Sequence, residues 1–293
     1  MLLSNGKEIS RIVAASGSLA YTGRGWFWEW PLRWFDVIDV KKITIITKTI
    51  TPRARLGNFR SIKPWQTFRF LENGTVNSFG LSNKGIDWWV NKCYPIIEKN
   101  DYKIIISIAP NPEDDFDTAI REVARTAKLI DKCSNLIAVE LNSSCPNVCC
   151  NEFQTNKIWH FCCCIKENTN LPIIVKVGYD VSDYILKFLE SSGFVAAIDA
   201  INTIPWSVVY GSRTSPLSKF GGGGVSGIPI FETALETVLR IKNTVRLPVI
   251  GGGGIYSFKD AVIMGAVADS ISLGTVFLQH PFMAGKIIRY LWK

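Results

Sequence analysis

An α/β fold built as one closed parallel barrel is what this sequence predicts, on three observations. Eight short β-branched and apolar runs recur along the 293 residues, segments of helical spacing separate them, and the runs lack the in-out alternation of a one-sided sheet. Strands covered on both faces, each followed by a helix, close most simply into a (β/α)8 barrel of the TIM type. A doubly wound open sheet is the competing arrangement. With 47% hydrophobic residues and no repeat or Pro/Ser-rich linker, 1–293 reads as a single domain around one sizeable core.

The first two runs are RIVAAS at 11–16 and ITIITKT at 43–49. A long excursion at about 50–102 then passes over the top of the second strand. KIIISIA at 103–109 is followed by Asn111 as a cap, Pro112 in the first turn, and an apolar stripe of Phe116, Ile120, Val123, Ala127 and Ile130, which predicts a helix. LIAVELN at 136–142 and PIIVKV at 172–177 are the next strands. Ser182 opens the helix SDYILKFLESS, which Gly193 can close, and AIDAIN at 197–202 and PVIGG at 248–252 come after it. Ser257 and Asp260 have capping-box spacing ahead of AVIMGA, and SISLG at 270–274 is the eighth strand.

Composition narrows the function. Lys and Arg exceed Asp and Glu by 33 − 25 = 8, but the basic residues are scattered and no binding motif accompanies them, so nucleic acid is not the expected partner. No apolar run reaches the length of a membrane span, and MLLSNGKEISRIVAASG breaks into charge before a signal-peptide core forms, so the expected location is cytoplasmic. Five of the eight cysteines sit side by side, at 149–150 and 162–164, which suits a reducing compartment. Three consecutive cysteines do not converge easily on one tetrahedral ion and no C-x-x-C pair occurs, so no metal is expected.

In a parallel barrel the active site lies at the carboxyl ends of the strands. Those ends read Ala15, Ser16 and Gly17; Lys48 and Thr49; Ser107; Asn142, Cys145 and Asn147; Lys176; Asn202 and Thr203; Gly251 to Gly254; and Gly274 and Thr275. Glycines after strands seven and eight let bare backbone approach a phosphate, and the run Gly221 to Gly224 before Val225, Ser226 and Gly227 can meet the same anion. Lys48 and Lys176 each interrupt an apolar strand, where an ammonium turned inward needs a partner or a ligand. Two lysines and several amides around one mouth favour a planar, hydrogen-bonding ligand such as a flavin or a pyrimidine. Cys145 beside them is a candidate base or nucleophile, although a lone cysteine is more often a small buried hydrophobe.

These motifs resemble the dihydroorotate dehydrogenases, and most closely their soluble class 1 members. The matches are AASG at 14–17, ITKTIT at 46–51, VNSFGLSNKGID at 76–87, ELNSSCPNV at 140–148, PIIVKV at 172–177, INT at 201–203, VSG at 225–227, GGGGI at 251–255 and LGT at 273–275. The resemblance implies an FMN-binding barrel that oxidises dihydroorotate to orotate in pyrimidine biosynthesis, with Cys145 as the base. It implies that Lys48, Asn77, Ser78, Phe79, Gly80, Leu81, Asn142, Asn147, Asn202 and Thr203 bind substrate. It further implies flavin contacts from Ala15, Ser16, Gly17, Lys48, Thr49, Ser107, Asn142, Lys176 and Ile201, with Gly227, Gly253, Gly254, Gly274 and Thr275 around the ribityl phosphate. Cysteine in place of the class 2 serine, and the lack of an N-terminal membrane-associating extension, point to class 1.

The family's partners are a second copy of the chain in homodimers, or an iron–sulfur and FAD subunit in NAD-linked heterotetramers, and no residue here decides between them. The chain departs from the family at Ser107, where many class 1 members have asparagine, in the loop VCCNEFQTNK after Asn147, and in the tryptophan-rich GWFWEWPLRWF at 25–35. The competing functions are a flavin-dependent reductase of uracil-type rings or of tRNA uridine, and a non-catalytic flavin-binding protein.

Overall fold

The computed structural model describes residues 1–26, 30, 37–58, 63, 66–142 and 154–291. In chain order its strands are β1 (Ile12–Ala14), β2 (Thr44–Ile46), β3 (Phe68–Leu71), β4 (Gly74–Asn77), β5 (Ile104–Ile108), β6 (Leu136–Asn142), β7 (Ile173–Val177), β8 (Val195–Ala200), β9 (Ile204–Pro205), β10 (Gly224–Gly227), β11 (Val249–Gly252) and β12 (Ser270–Leu273). Eight of them close in the order β1, β12, β11, β8, β7, β6, β5, β2, all paired in parallel. Each closing strand falls on one of the eight runs expected from sequence, β6 with the same bounds and the others with at least one end moved by one to three residues. The apolar character of the runs follows from closure, because the outer face packs on helices while the inner face fills the barrel.

The two faces form separate cores. Ile45, Ile104, Ile106, Val139, Leu141, Val175 and Ile198 pack outward against helical residues such as Val123, Ile130, Leu186 and Val238. Inside the barrel lie Val13, Ile46, Ile105, Ala138, Ile174, Ala197 and Ile250, joined by Leu3 and Ile9. Those last two belong to an N-terminal hairpin bridged at Leu2 and Glu8, which plugs the barrel at the amino ends of the strands. Lys7 Nζ ties the plug to the carbonyls of Ser134 and Leu136 at 2.6 and 2.8 Å, and Asn5 Nδ2 reaches Ile137 O at 3.1 Å. Apolar side chains thus dominate the lower barrel, with Thr44 accepting from the Ser10 N–H at 2.9 Å at the amino end of β2, and the charged side chains inside the barrel lie nearer its upper mouth.

The helix after β5 runs over Phe116–Asp131 and buries Ala119, Val123, Thr126, Ala127 and Ile130 on the expected face. Its cap is Asp115, whose carboxylate accepts from Thr118 N at 2.8 Å, and not Asn111. Asn111 is buried with its Oδ1 taken by the Arg53 N–H at 3.1 Å, so it pins the 50–58 segment to the top of β5. Ser182 caps Asp183–Ser191, and Ser257 with Asp260 forms the expected capping box ahead of Phe258–Gly265.

The excursion expected at about 50–102 divides in two. Its first half contributes the β3–β4 hairpin, which joins β10 and β9 in a second sheet of order β3, β4, β10, β9 over the barrel mouth. Its second half is helical, with Ile86–Trp88 running through a π turn at Trp89–Cys93 into Tyr94–Asn100. Asn83 holds the junction. It donates to Thr51 Oγ1 and Leu81 O at 2.8 and 2.7 Å and accepts from the N–H groups of Thr51 and Gly85.

Cys162, Cys163 and Cys164 lie on the helix Gln154–Asn168, and burial raises the thiol of Cys162 to about 12 and that of Cys164 to about 11. Such thiols stay protonated and pack as small apolar groups. Of the tryptophan-rich stretch only Gly25, Trp26 and Trp30 fall among the described residues, with Trp26 Nε1 donating to Gly17 O at 3.2 Å. Among the described residues no helix is long and apolar enough to cross a membrane.

Candidate active site at the barrel mouth

The parallel ladder decides which polar side chains meet. Asn142 on β6 pairs in register with Lys176 on β7, Lys176 pairs with Asp199 on β8, and Ser107 on β5 pairs with Glu140 on β6. In-register neighbours on a parallel sheet point to one face, as do residues two apart on one strand, so all five enter the barrel above the apolar filling. All are buried, with Ser107 and Glu140 at 0% exposure.

Above them runs a chain of hydrogen bonds. Ser16 Oγ lies 3.1 Å from Thr49 Oγ1, which lies 2.9 Å from Ser107 Oγ and accepts from Asn142 Nδ2 at 2.8 Å. Asn142 Oδ1 then accepts from Asn202 Nδ2 at 3.1 Å, and Asn202 Oδ1 accepts from the Thr203 N–H at 2.8 Å. Residues from five separate strand ends are therefore held in one connected row. Preorganised amides and hydroxyls of this kind select a ligand by its hydrogen-bonding edge.

Lys48 stands beside this row. Its Nζ lies 5.9 Å from the centre of the Phe79 ring, and its stem passes Gly17, where an added Cβ would sit 3.7 Å from Lys48 Cγ. Phe79 in turn stacks on Phe68 with ring centres 6.0 Å apart. The 77–81 segment comes down from β4 with Ser78 Oγ anchored on Phe220 O at 2.8 Å, and Gly80 and Leu81 both have positive φ, at +64° and +57°. This turn sets the Phe79 ring against Lys48, within the 77–81 segment that the sequence marks as a candidate substrate site.

The glycines after β10 and β11 form the other side. Gly253 and Gly254 have φ of +128° and +74°, and Gly227 has +99°, conformations that favour a residue without Cβ. A Cβ on Gly254 would meet Gly227 O at 2.7 Å, and one on Gly253 would meet the Ala234 Cβ at 2.7 Å and Ile201 Cγ1 at 3.4 Å. Gly274 lies next to Ala15 at the top of β12, and the Thr275 hydroxyl donates to Ser226 Oγ at 2.8 Å, which also meets Thr75 Oγ1 at 2.8 Å. A backbone-lined turn with hydroxyls at its rim is the chemistry a phosphate monoester needs, and a mouth with two lysines and a row of amides suits an isoalloxazine ring.

Cys145 and Asn147, the expected base and one expected substrate ligand, lie outside the described residues. The other residues expected at the site from the sequence fall among the described residues, at or just after the carboxyl ends of the barrel strands or in the segments 77–81 and 224–227 of the second sheet. Two participants were not anticipated. Glu140 accepts from Ser107 Oγ at 2.6 Å, and Asp199 pairs with Lys176 Nζ at 2.6 Å with side-chain exposures of 1% and 8%. The signal was available in LIAVELN and AIDAIN, because a carboxylate in a strand covered on both faces needs a partner as much as a lysine does. Burial is the largest influence on Glu140 and raises its carboxyl to about 8, with the Lys176 charge opposing and Asp199 reinforcing the shift.

A closed parallel barrel carrying a polar, lysine-flanked mouth and a glycine turn after its seventh closing strand defines a (β/α)8-barrel enzyme with a phosphate-bearing ligand. The family model described as dihydroorotate dehydrogenase matches residues 35–293. The chain belongs to the dihydroorotate dehydrogenase family, whose members are FMN-dependent, and its relatives place it in class 1.

The chain is 31% identical to the catalytic subunit of dihydroorotate dehydrogenase B (NAD(+)) of Phocaeicola vulgatus, over 96% of this chain and 88% of that one. It is 30% identical to the corresponding protein of Bacteroides fragilis, over 86% and 82%. Among solved structures, the DHODH of Eimeria tenella in complex with ferulenol superposes with a TM-score of 0.72 at 17% identity, covering 99% of this chain and 82% of that one. The ligand-free form gives a TM-score of 0.68 at 18% identity, and both agree on the fold.

Proposed function

We propose that this chain oxidises (S)-dihydroorotate to orotate as a single FMN-binding barrel domain, with Cys145 taking the C5 proton of the substrate. The observation that carries the reading is the connected row Thr49, Asn142, Asn202 and Thr203 flanked by Lys48 and Lys176. Its amides match the imide edge of a pyrimidine, and Lys48 with the backbone of 77–81 supplies a site for a carboxylate, which an orotate ring carries and a uracil ring lacks. FMN, when bound, supplies the acceptor for the hydride leaving C6.

The remaining roles belong to the chain. Asn77, Ser78, Phe79, Gly80, Leu81, Asn142, Asn147, Asn202 and Thr203 orient the substrate, and Lys48 touches both substrate and flavin. Ala15, Ser16, Gly17, Thr49, Ser107 and Ile201 would line the flavin ring, with Lys176 at its N1/O2 edge, and Gly227, Gly253, Gly254, Gly274 and Thr275 would hold the ribityl phosphate. The Phe79 ring and the second sheet over the mouth exclude water from the reacting carbons. The relatives are catalytic subunits of NAD(+)-linked enzymes, which supports an electron-transfer partner subunit; a second copy of this chain and a cytoplasmic location belong to the same proposal.

Anaerobic mixing of the flavin-loaded protein with L-dihydroorotate tests the reading. Flavin should bleach, and Cys145→Ser should slow bleaching by about 10²-fold or more at neutral pH while leaving the flavin content unchanged, the range expected for loss of a positioned base. Bleaching at an unchanged rate in the variant overturns the role of Cys145, and a flavin that stays oxidised with dihydroorotate overturns the substrate.

A further inference from the structure

Three ionisable groups are packed together under the barrel mouth, and their charges do not balance if all three are ionised. Lys176 Nζ is 2.6 Å from Asp199, and both are nearly inaccessible. Glu140 is fully buried on the neighbouring strand. Its Oε1 accepts the Ser107 hydroxyl at 2.6 Å, while among the described residues no N–H or O–H donor reaches its Oε2. The Asp199 carboxylate is the acid that presses on the Glu140 carboxyl, through its charge and through a side-chain hydrogen bond. Two facing carboxylates can make that contact only if one carries a proton, and a second uncompensated negative charge in this interior is costly.

We infer that Glu140 and Asp199 share one proton, so that with Lys176 they form a neutral trio in which either carboxylate can be the lysine's counter-ion, and that this sets the reduction potential of the flavin. The inference rests on the reading that Lys176 meets the flavin N1/O2 edge. Both acids are positioning residues that act on the cofactor through Lys176. A cation there stabilises the reduced, anionic ring, and a fixed counter-ion weakens that pull. The proton belongs to the pair rather than to either residue. The groups facing Glu140 are Ser107 from β5, Lys176 from β7 and Asp199 from β8, with Asn142 two residues along its own strand.

This arrangement predicts strong non-additivity. In Glu140→Gln the negative charge stays on Asp199, and in Asp199→Asn the proton leaves Glu140, which takes over as counter-ion. Neither single variant changes the net charge of the trio. The double variant E140Q/D199N leaves Lys176 uncompensated.

The test is the midpoint potential of the flavin-loaded protein at pH 7, read by anaerobic equilibration with a reference dye, with flavin content measured first from the visible spectrum. Each single variant should change the equilibrium constant for reduction by less than about threefold. The double variant should favour reduction at least tenfold more, about 30 mV for a two-electron couple. Single variants that each give half or more of the double's shift, or a double variant equal to wild type, overturn the inference.

A second arm compares the wild-type protein with the single variant Glu140→Gln and serves if the double variant fails to fold. As pH rises through about 8 the shared proton leaves, the trio becomes negative, and the potential should fall more steeply there than in Glu140→Gln. An identical pH profile in the two proteins also overturns it. Wild-type protein that binds no flavin fails the earlier FMN reading instead, and the spectrum separates that failure from this one.

Discussion

Replacing Glu140 by Gln, which introduces no new apolar contact, should stabilise the protein at neutral pH and have no such effect near pH 4.5. Burial raises the folded-state pKa of this carboxyl from 4.5 to about 8. A raised folded-state value means that the folded chain binds the proton more tightly than the unfolded chain. The associated stability is therefore fully present below about 4.5 and is lost as pH rises through about 8. Each unit is worth about 1.4 kcal/mol, so about 3 kcal/mol is lost between pH 4.5 and 7, and about 4 kcal/mol by pH 8, where half of the folded molecules still hold the proton.

Glutamine keeps the neutral shape of the protonated acid, offers an oxygen to Ser107 and an N–H to Asp199, and cannot ionise. Urea unfolding of wild type and variant at matched flavin loading, at pH 5, 6, 7 and 8, measures the difference directly. The variant should gain over wild type progressively, by about 2–3 kcal/mol at pH 7 after allowing for imperfect packing of the amide. A difference that does not change with pH, or a variant less stable than wild type at pH 7, would show that Glu140 is ionised in the folded protein and refute the reasoning.

Two further outcomes follow from the site. Asn202→Ala removes the donor to Asn142 Oδ1 and the acceptor for the Thr203 N–H, so orotate binding, followed by the perturbation of the flavin spectrum on titration, should weaken about tenfold with flavin retained. Gly227→Ala places a Cβ onto Gly74 Cα and 3.0 Å from the Tyr256 hydroxyl at a φ of +99°, so thermal unfolding should drop by several degrees and the purified protein should carry less flavin.

Much of this molecule was legible one element at a time. The strands LIAVELN and PIIVKV and the capping box of Ser257 and Asp260 all formed where local pattern put them, because hydrophobic period and cap chemistry act over a few residues. Polar residues at strand ends could be assigned to one face for the same reason, since every parallel strand of a closed barrel ends at the same rim. The cap of the Phe116–Asp131 helix illustrates the limit. Asn111 and Asp115 are equally good caps by type, and a contact with Arg53, 58 positions away, removed Asn111 from the choice.

What the sequence determined by itself was therefore the order and kind of the barrel's eight strands and the polar identity of its mouth. Tertiary structure alone decided which of those groups touch. Glu140, Lys176 and Asp199 are separated by 36 and 23 positions, and only the register of β6, β7 and β8 brings them into one buried cluster. The same holds for the hairpin of Leu3 and Ile9 that plugs the barrel, and for β4 meeting β10 across 147 to 153 positions. Local propensity is indifferent to such pairings. They form because an open barrel end or an unpaired strand edge leaves apolar surface and backbone groups exposed, and the folded chain has one arrangement that covers them all.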